Sequence, residues 1–195
     1  MTRFLNASEL NSLGLRELGT DVLIDRAAIL VNPAAISLGN HCRIDAFALI
    51  LAGQEGVRVG KHVHIAAGCQ IFGGGGAVDL EDFTCLSGRV SVYTVTDDFT
   101  QGFLTNPTVS AAYRNVRTGG VTLRKHSLVG CGSVVLPGVE MGFGSAVGAL
   151  TVVRKSVPEC CVVCGNPARR LPKQRDRARL ERLEQEFLGG QGQNG

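Results

Sequence analysis

Residues 123–158 read LRKHSL VGCGSV VLPGVE MGFGSA VGALTV VRKSVP, six blocks of six whose heads are Leu123, Val129, Val135, Met141, Val147 and Val153. A period of six fits neither the 3.6-residue repeat of a helix nor the two-residue alternation of a long strand. It fits a short strand followed by a bend, with three such units closing one turn of a triangular coil. Each head then points inward, and the small residue beside it lets the chain round a corner. Successive turns pair as parallel strands about 4.8 Å apart.

The same spacing extends upstream through Leu38, Ile44 and Ile50, then Val59, Ile65 and Ile71, then Leu80, Leu86 and Val92. Leu38, Val59 and Leu80 are 21 residues apart, whereas Leu123 and Met141 are 18 apart. The early coils therefore carry three extra residues on their third side, outside the prism. The expected fold is an all-β solenoid, a parallel β-helix over residues 18–171, with a projecting loop after the third coil and a C-terminal α-helix. Residues 1–17 form a short helical segment in which Ser8 caps a helix from Glu9 to Leu13 and Gly14 ends it. Within residues 172–195, a helix over Arg175 to Phe187 places Leu180, Leu183 and Phe187 on one face. That face either covers the open last coil, which a solenoid needs, or meets a partner subunit. The Gly- and Gln-rich tail from Gly189 is expected to fray.

Composition agrees with a narrow, regularly stacked interior. The chain of 195 residues has 26 Gly, only 5% aromatics and no Trp, so Val, Ile, Leu and Ala must fill the core. A net charge of +3 is too small to imply a nucleic-acid partner. The seven cysteines are an odd number, and Cys160, Cys161 and Cys164 cluster without a further His or Cys at ligand spacing. Buried reduced thiols are expected there, and no metal. Met1 to Leu10 lacks a signal-like apolar run, and no stretch approaches a spanning helix. The expectation is a cytoplasmic protein with no membrane association.

The register breaks once, between Val95 and Gly120. This segment has no repeat heads, yet it holds Phe99, Phe103 and Tyr113 from a chain poor in aromatics. A loop of this length on a regular scaffold reads as an ordered arm that shapes a site.

The repeats resemble those of the hexapeptide-repeat, or isoleucine-patch, acyltransferases over about Leu18 to Leu171. The strongest signature is VGCGSVVLPGVEMGFGSAVGALTVV at 129–153, followed by VPE at 157–159 and GNPARRL at 165–171. The arm sequence VYTVTDDFTQGFLTNPT at 92–108, with VHIAAG at 63–68, is similar to the branch that acylates nucleotide-linked amino sugars for bacterial surface polysaccharides. Its members include dTDP-4-amino-4,6-dideoxyglucose acyltransferases. The resemblance implies a left-handed coil, a homotrimer with active sites between neighbouring prisms, and transfer of an acetyl group from acetyl-CoA to a sugar amine or hydroxyl. A lone prism would also expose flat aliphatic faces that need partners.

Acyl transfer needs a base for the incoming amine or hydroxyl and hydrogen-bond donors for the oxyanion. Many relatives carry a histidine in the turn that opens the arm. Here that turn is Thr94, Val95, Thr96, Asp97 and Asp98, with none. His41, His62 and His126 each lie three residues after a head, so they stack along one edge with Phe83. A solvated corner is the ordinary reading of that edge, and His126, which follows the arm, is its catalytic candidate. His64 lies five after its head, as in the sugar-modifying branch, and is the stronger candidate. Asp97 and Asp98 stand at the catalytic turn of the family, although Asp is also common in turns for its own backbone bonding. The expected mechanism has His64, oriented by Asp97 or Asp98 of the same or a neighbouring chain, take the proton while a backbone N–H holds the oxyanion.

For coenzyme A, Gly130, Gly132, Gly148 and Ala149 would let pantetheine lie against backbone amides, though glycines also turn corners. Lys155, Arg169 and Arg170 are placed by the resemblance to meet its phosphates. Two other readings stay open. One is a γ-carbonic-anhydrase-like zinc protein, suggested by the Arg43-Ile-Asp45 element; the other is a non-catalytic scaffold.

Overall fold

The computed structural model of the chain describes residues 3–191. Three parallel sheets form the faces of a triangular prism of about seven turns. The first face stacks Glu17–Leu18, Ile36–Leu38, Val57–Val59, Val78–Leu80, Val121–Leu123 and Glu140–Met141. The second stacks Leu23–Ile24, Arg43–Ile44, His64–Ile65, Cys85–Leu86, Leu128–Val129, Ala146–Val147 and Val162–Cys164, and Arg169–Arg170 closes it antiparallel. The third stacks Ile29–Val31, Leu49–Ala52, Gln70–Gly73, Ser91–Tyr93, Val134–Val135 and Val152–Val153.

The repeat heads are the core. Leu38, Val59, Leu80, Leu123 and Met141 form one inward column, and Ile24, Ile44, Ile65, Leu86, Val129 and Val147 form the second. Ile50, Ile71, Val92, Val135 and Val153 form the third. All are buried. At about 1.5–3 kcal/mol for each fully buried aliphatic side chain, these columns supply most of the favourable energy of the coil. The extra residues of the early coils sit at the third corner, as in Gly53 to Gly56 between the strands Leu49–Ala52 and Val57–Val59. A further coil, built on Leu18, Ile24 and Leu30, precedes the three read from the spacing. The arm therefore follows the fourth coil rather than the third.

At the first corner His41, His62, Phe83 and His126 adopt left-handed backbone, with φ of 58°, 55°, 59° and 61°. Their rings stack with centroids 4.7, 4.8 and 5.1 Å apart, one ring per turn of the coil. The edge expected from the spacing is thus present, but it is not simply solvated. Helix α2, Arg177–Gln191, lies along it. Phe187 meets His62 and Phe83 edge-on at 5.2 and 6.0 Å. Glu184 pairs with His126 at 2.8 Å and with Lys125. Leu180 rests over Gly144, where a Cβ would come within 2.9 Å of it. The docking stripe is thus Leu180, Glu184 and Phe187. The helix braces an edge and does not cover the last coil.

Both helices differ in their ends from the expected ones. Helix α1 is Ala7–Ser12, capped by Asn6 and not Ser8. Asn6 Oδ1 accepts from Glu9 N–H at 3.0 Å, and Glu9 Oε2 accepts from Asn6 N–H at 2.8 Å, a reciprocal box that fixes the start two residues earlier. In α2, Arg175 stays outside because its guanidinium donates to the carbonyls of His126 and Gly144. Asp176 caps the helix by accepting from Arg179 N–H at 3.0 Å. The helix runs through Gly189 and Gly190 to Gln191, so the expected fraying does not begin at Gly189; residues 192–195 lie outside the described residues. Among the described residues no helix is long and apolar enough to cross a membrane.

Candidate active site

The second corner carries one residue per turn whose backbone N–H donates to the carbonyl of the following turn. The column is Asp25, Asp45, Ala66, Ser87, Gly130 and Gly148. Two positions earlier on the second face stand Arg43, His64 and Cys85, on neighbouring turns. Residues distant in sequence meet here because the coil returns every 21 residues.

His64 Nε2 lies 2.8 Å from Asp45 Oδ2. In the neutral ring, a proton on Nε2 would face this carboxylate and leave Nδ1 as the acceptor. Asp45 also accepts from Arg43 at 2.9 Å and from Arg3 at 2.8 Å. Burial pushes the Asp45 carboxyl up, but the hydrogen bonds from His64 and Arg43 outweigh it and hold the group below its ordinary value. The carboxylate that orients His64 within the chain is therefore Asp45, not Asp97 or Asp98. The Arg43-Ile-Asp45 element, read from sequence as a faint zinc-enzyme feature, supplies that partner.

The arm leaves the third corner as an antiparallel pair, Val95–Asp97 against Val116–Thr118. Its aromatics do not anchor it: Phe99 and Tyr113 are 86% and 63% exposed. Asp98 does so instead. Its buried carboxylate accepts from Thr100 N–H at 2.8 Å, Thr100 Oγ1–H at 2.9 Å and Asn115 Nδ2–H at 2.6 Å. The Thr100 backbone bond, then those of the Thr100 and Asn115 side chains, hold Asp98 below the usual carboxylate range. Asp97 accepts from Asn106 N–H through Oδ2 at 3.2 Å, while Oδ1 has no partner among the described residues. The two neighbouring carboxylates thus have different work. Asp98 builds the arm, and Asp97 keeps an unpaired oxygen beside a cleft of about 370 Å³ that both residues line with Phe99, Arg117, Leu136, Pro137 and Arg154.

A second cleft, about 560 Å³, opens at the end of the coil between Val152–Val157 and the segment Val163, Pro167, Ala168 and Arg169. It brings Lys155 and Arg169 together, and Arg154 lines both clefts. Arg170 is exposed on the return strand, outside this lining. Gly130 and Gly148 stand at the second corner, where a Cβ on Gly130 would meet Ala149 N at 2.5 Å. Gly132 turns that corner with φ of +69°, and Ala149 is exposed beside it. His126 belongs to the ring stack and is paired with Glu184, in neither cleft. All seven cysteines are free, and no cluster of three His, Cys, Asp or Glu side chains with metal-binding geometry occurs among the described residues.

No protein-family model matches the chain. The dTDP-4-amino-4,6-dideoxy-D-glucose acyltransferase of Escherichia coli is 36% identical over 166 residues, covering 85% of this chain and 86% of that enzyme. The crystal structure of AntD, an N-acyltransferase from Bacillus cereus, in complex with dTDP and 3-hydroxybutyryl-CoA superposes with a TM-score of 0.91 at 38% identity, covering 98% of this chain and 100% of the other. A putative lipopolysaccharide biosynthesis O-acetyl transferase of Escherichia coli K12 is 28% identical over 161 residues, covering 76% of this chain and 77% of that protein.

Proposed function

Because the chain belongs to the left-handed β-helix acyltransferases that include the dTDP-4-amino-4,6-dideoxyglucose enzymes, we propose that it moves an acyl group from acyl-CoA to the amine of a dTDP-linked amino sugar. The observation that carries the reading is a pair of residues. AntD has been crystallised as variants at one serine and at one aspartate ten positions further on, with CoA and either dTDP or dTDP-4-amino-4,6-dideoxyglucose. In this chain only one serine is followed by an aspartate at that distance, and the pair is Ser87 and Asp97. Ser87 belongs to the second-corner column beside His64 and Cys85, and Asp97 is the arm carboxylate with a free oxygen.

In this reading the sugar ammonium gives a proton to Asp97 and the Ser87 hydroxyl holds the resulting amine. The nitrogen lone pair attacks the thioester carbonyl, the N–C bond forms, the C–S bond breaks and the CoA thiolate takes the further proton that the nitrogen gives up. His64, with Nδ1 as an acceptor, stands two residues from the corner of Ala66, the residue one turn from Ser87, and is the alternative base. Lys155, Arg169 and Arg154 meet the phosphates of CoA along the terminal cleft, and Arg154 continues that cleft towards Asp97.

Ser87 and Asp97 stand at opposite ends of the third face, separated by the strand Ser91–Tyr93 and its flanks, roughly 13 Å of extended chain. The reading therefore takes the two residues from adjacent copies of a homotrimer, with sites at the subunit boundaries. The third face suits such a contact, since Ile29, Val31, Leu49, Leu51, Phe72 and Tyr93 point outward there. The outward positions of the first face hold Glu17, Arg58, Asp79 and Glu140 instead. We place the reaction in the cytoplasm, on the route to a surface polysaccharide such as an O-antigen.

The test is thiol release from acetyl-CoA and 3-hydroxybutyryl-CoA with dTDP-4-amino-4,6-dideoxyglucose as acceptor. Release that requires the amino sugar supports the proposal. Release with neither donor, across a panel of nucleotide-linked amino sugars, overturns it.

A further inference from the structure

The second face holds a cluster whose thiol the acyl-transfer reading leaves unused. His64 Nδ1, the nitrogen turned away from Asp45, lies 4.0 Å from Cys85 Sγ on the next turn. The order carboxylate, imidazole, thiol is fixed by the coil register, which pairs Cys85 with His64 and Arg43 with His64. Arg3 and Arg43 hold the carboxylate from its other oxygen. Three of the seven thiols are partly exposed, at Cys85, Cys131 and Cys164. Of these, Cys85 has an imidazole within 4.0 Å.

We propose that Asp45, His64 and Cys85 form a reactive-thiol site, at which Cys85 is modified by low-molecular-weight disulfides in preference to the other cysteines. The step is thiol–disulfide exchange. Cys85 sulfur attacks one sulfur of the disulfide as its proton passes to His64 Nδ1. A protein–S–S–R bond forms, the S–S bond of the reagent breaks, and the leaving thiolate takes the proton from His64. The incoming disulfide is the oxidant and one of its halves leaves as the reduced thiol. Burial pushes the Cys85 thiol above its ordinary value, so little thiolate stands ready and removal of the proton by His64 is what makes this sulfur a nucleophile. The groups facing the pair are Asp45, Arg43 and Arg3 around His64, and the buried Cys69 beside Cys85. The proposal does not depend on the identity of the acyl acceptor.

The experiment treats the full chain with oxidised glutathione near neutral pH and follows the adduct at each cysteine by peptide mass mapping. Cys85 is expected to carry the first adduct. His64→Asn should slow it by about tenfold or more, as general-base catalysis requires, while the rates at Cys131 and Cys164 stay unchanged. The unchanged rates at Cys131 and Cys164 report within the same sample that the variant is folded. Faster adducts at Cys131 or Cys164, or a Cys85 rate that His64→Asn leaves unaltered, would overturn the assignment.

Discussion

Replacing Gly130 by alanine tests whether the glycines of the second corner serve the coil or the coenzyme. A Cβ there would lie 2.5 Å from Ala149 N and 2.7 Å from both Gly148 C and Val147 O, all backbone atoms of the next turn. Ordinary contact begins at 3.4 Å, so the turn above must retreat by about 0.7–0.9 Å. That retreat strains the 2.8 Å bond from Gly130 N–H to Val147 O. Overpacking costs about 1–3 kcal/mol and a weakened backbone hydrogen bond about 1 more. For a chain of this size each kcal/mol lowers the midpoint by about 2–4 °C, so a loss of roughly 5–15 °C is expected. The assay is a thermal melt at matched protein concentration, since oligomers melt by mass action. Gly138→Ala is the reference: φ is +79° but nothing lies within 4 Å, so only about 1–2 kcal/mol of backbone strain applies. A Gly130→Ala protein melting within about 1 °C of the parent, with weakened acyl-CoA binding, would refute the packing argument and leave the glycine to the ligand.

Three further outcomes are expected. Ser87→Ala and Asp97→Asn chains should each lose about 10²–10⁴-fold in turnover, yet chains of the two kinds assembled together should recover activity, because some boundaries then hold both wild-type residues; no recovery in mixed trimers counts against the shared site. Asp98→Ala should strip hydrogen-exchange protection from Val95 to Gly120 and lower turnover while the coil melts as before; a protected arm would sink the anchoring role. Burial pushes the Glu184 carboxyl up, but Lys125 and His126 outweigh it and hold the group below its ordinary 4.5. The stability it lends to α2 docking is therefore present above that value and is lost as pH falls through the lower folded one. Glu184→Gln should loosen α2 at neutral pH, read as faster exchange in Arg177–Gln191 with no change in the coil.

The coil was legible because its signal is repeated. Any one head, such as Val135, is uninformative, but fifteen in runs at the same spacing exclude a helix and a long strand together. The stack of His41, His62, Phe83 and His126 was legible for the same reason, since each lies at one offset from a head. Single contacts were not. Asp45 is 19 residues from His64, and nothing local in either segment announces their bond. Ser87 was missed because its column alternates among acidic, small and glycine residues, so it reads as one more corner. A signal existed in Asp25, Asp45 and Ser87, polar residues at one repeated position of the second corner. Asp97 and Asp98 look equivalent in sequence, and only the donors of Thr100 and Asn115 separate the builder of the arm from the residue with one oxygen left over.

The arm leaves after Val92, while Arg154 and Lys155 follow Val153, two turns on along the same face. With turns about 4.8 Å apart, the coil acts as a ruler that would set the proposed acceptor and donor ends roughly 10 Å apart along the axis. Inserting one 18-residue turn between them, for example a copy of residues 129–146, would lengthen that interval by a single graduation without altering the cross-section. Reach of the donor could then be tuned in fixed steps, with longer acyl chains favoured by a longer rule and the sheets on every face still in register.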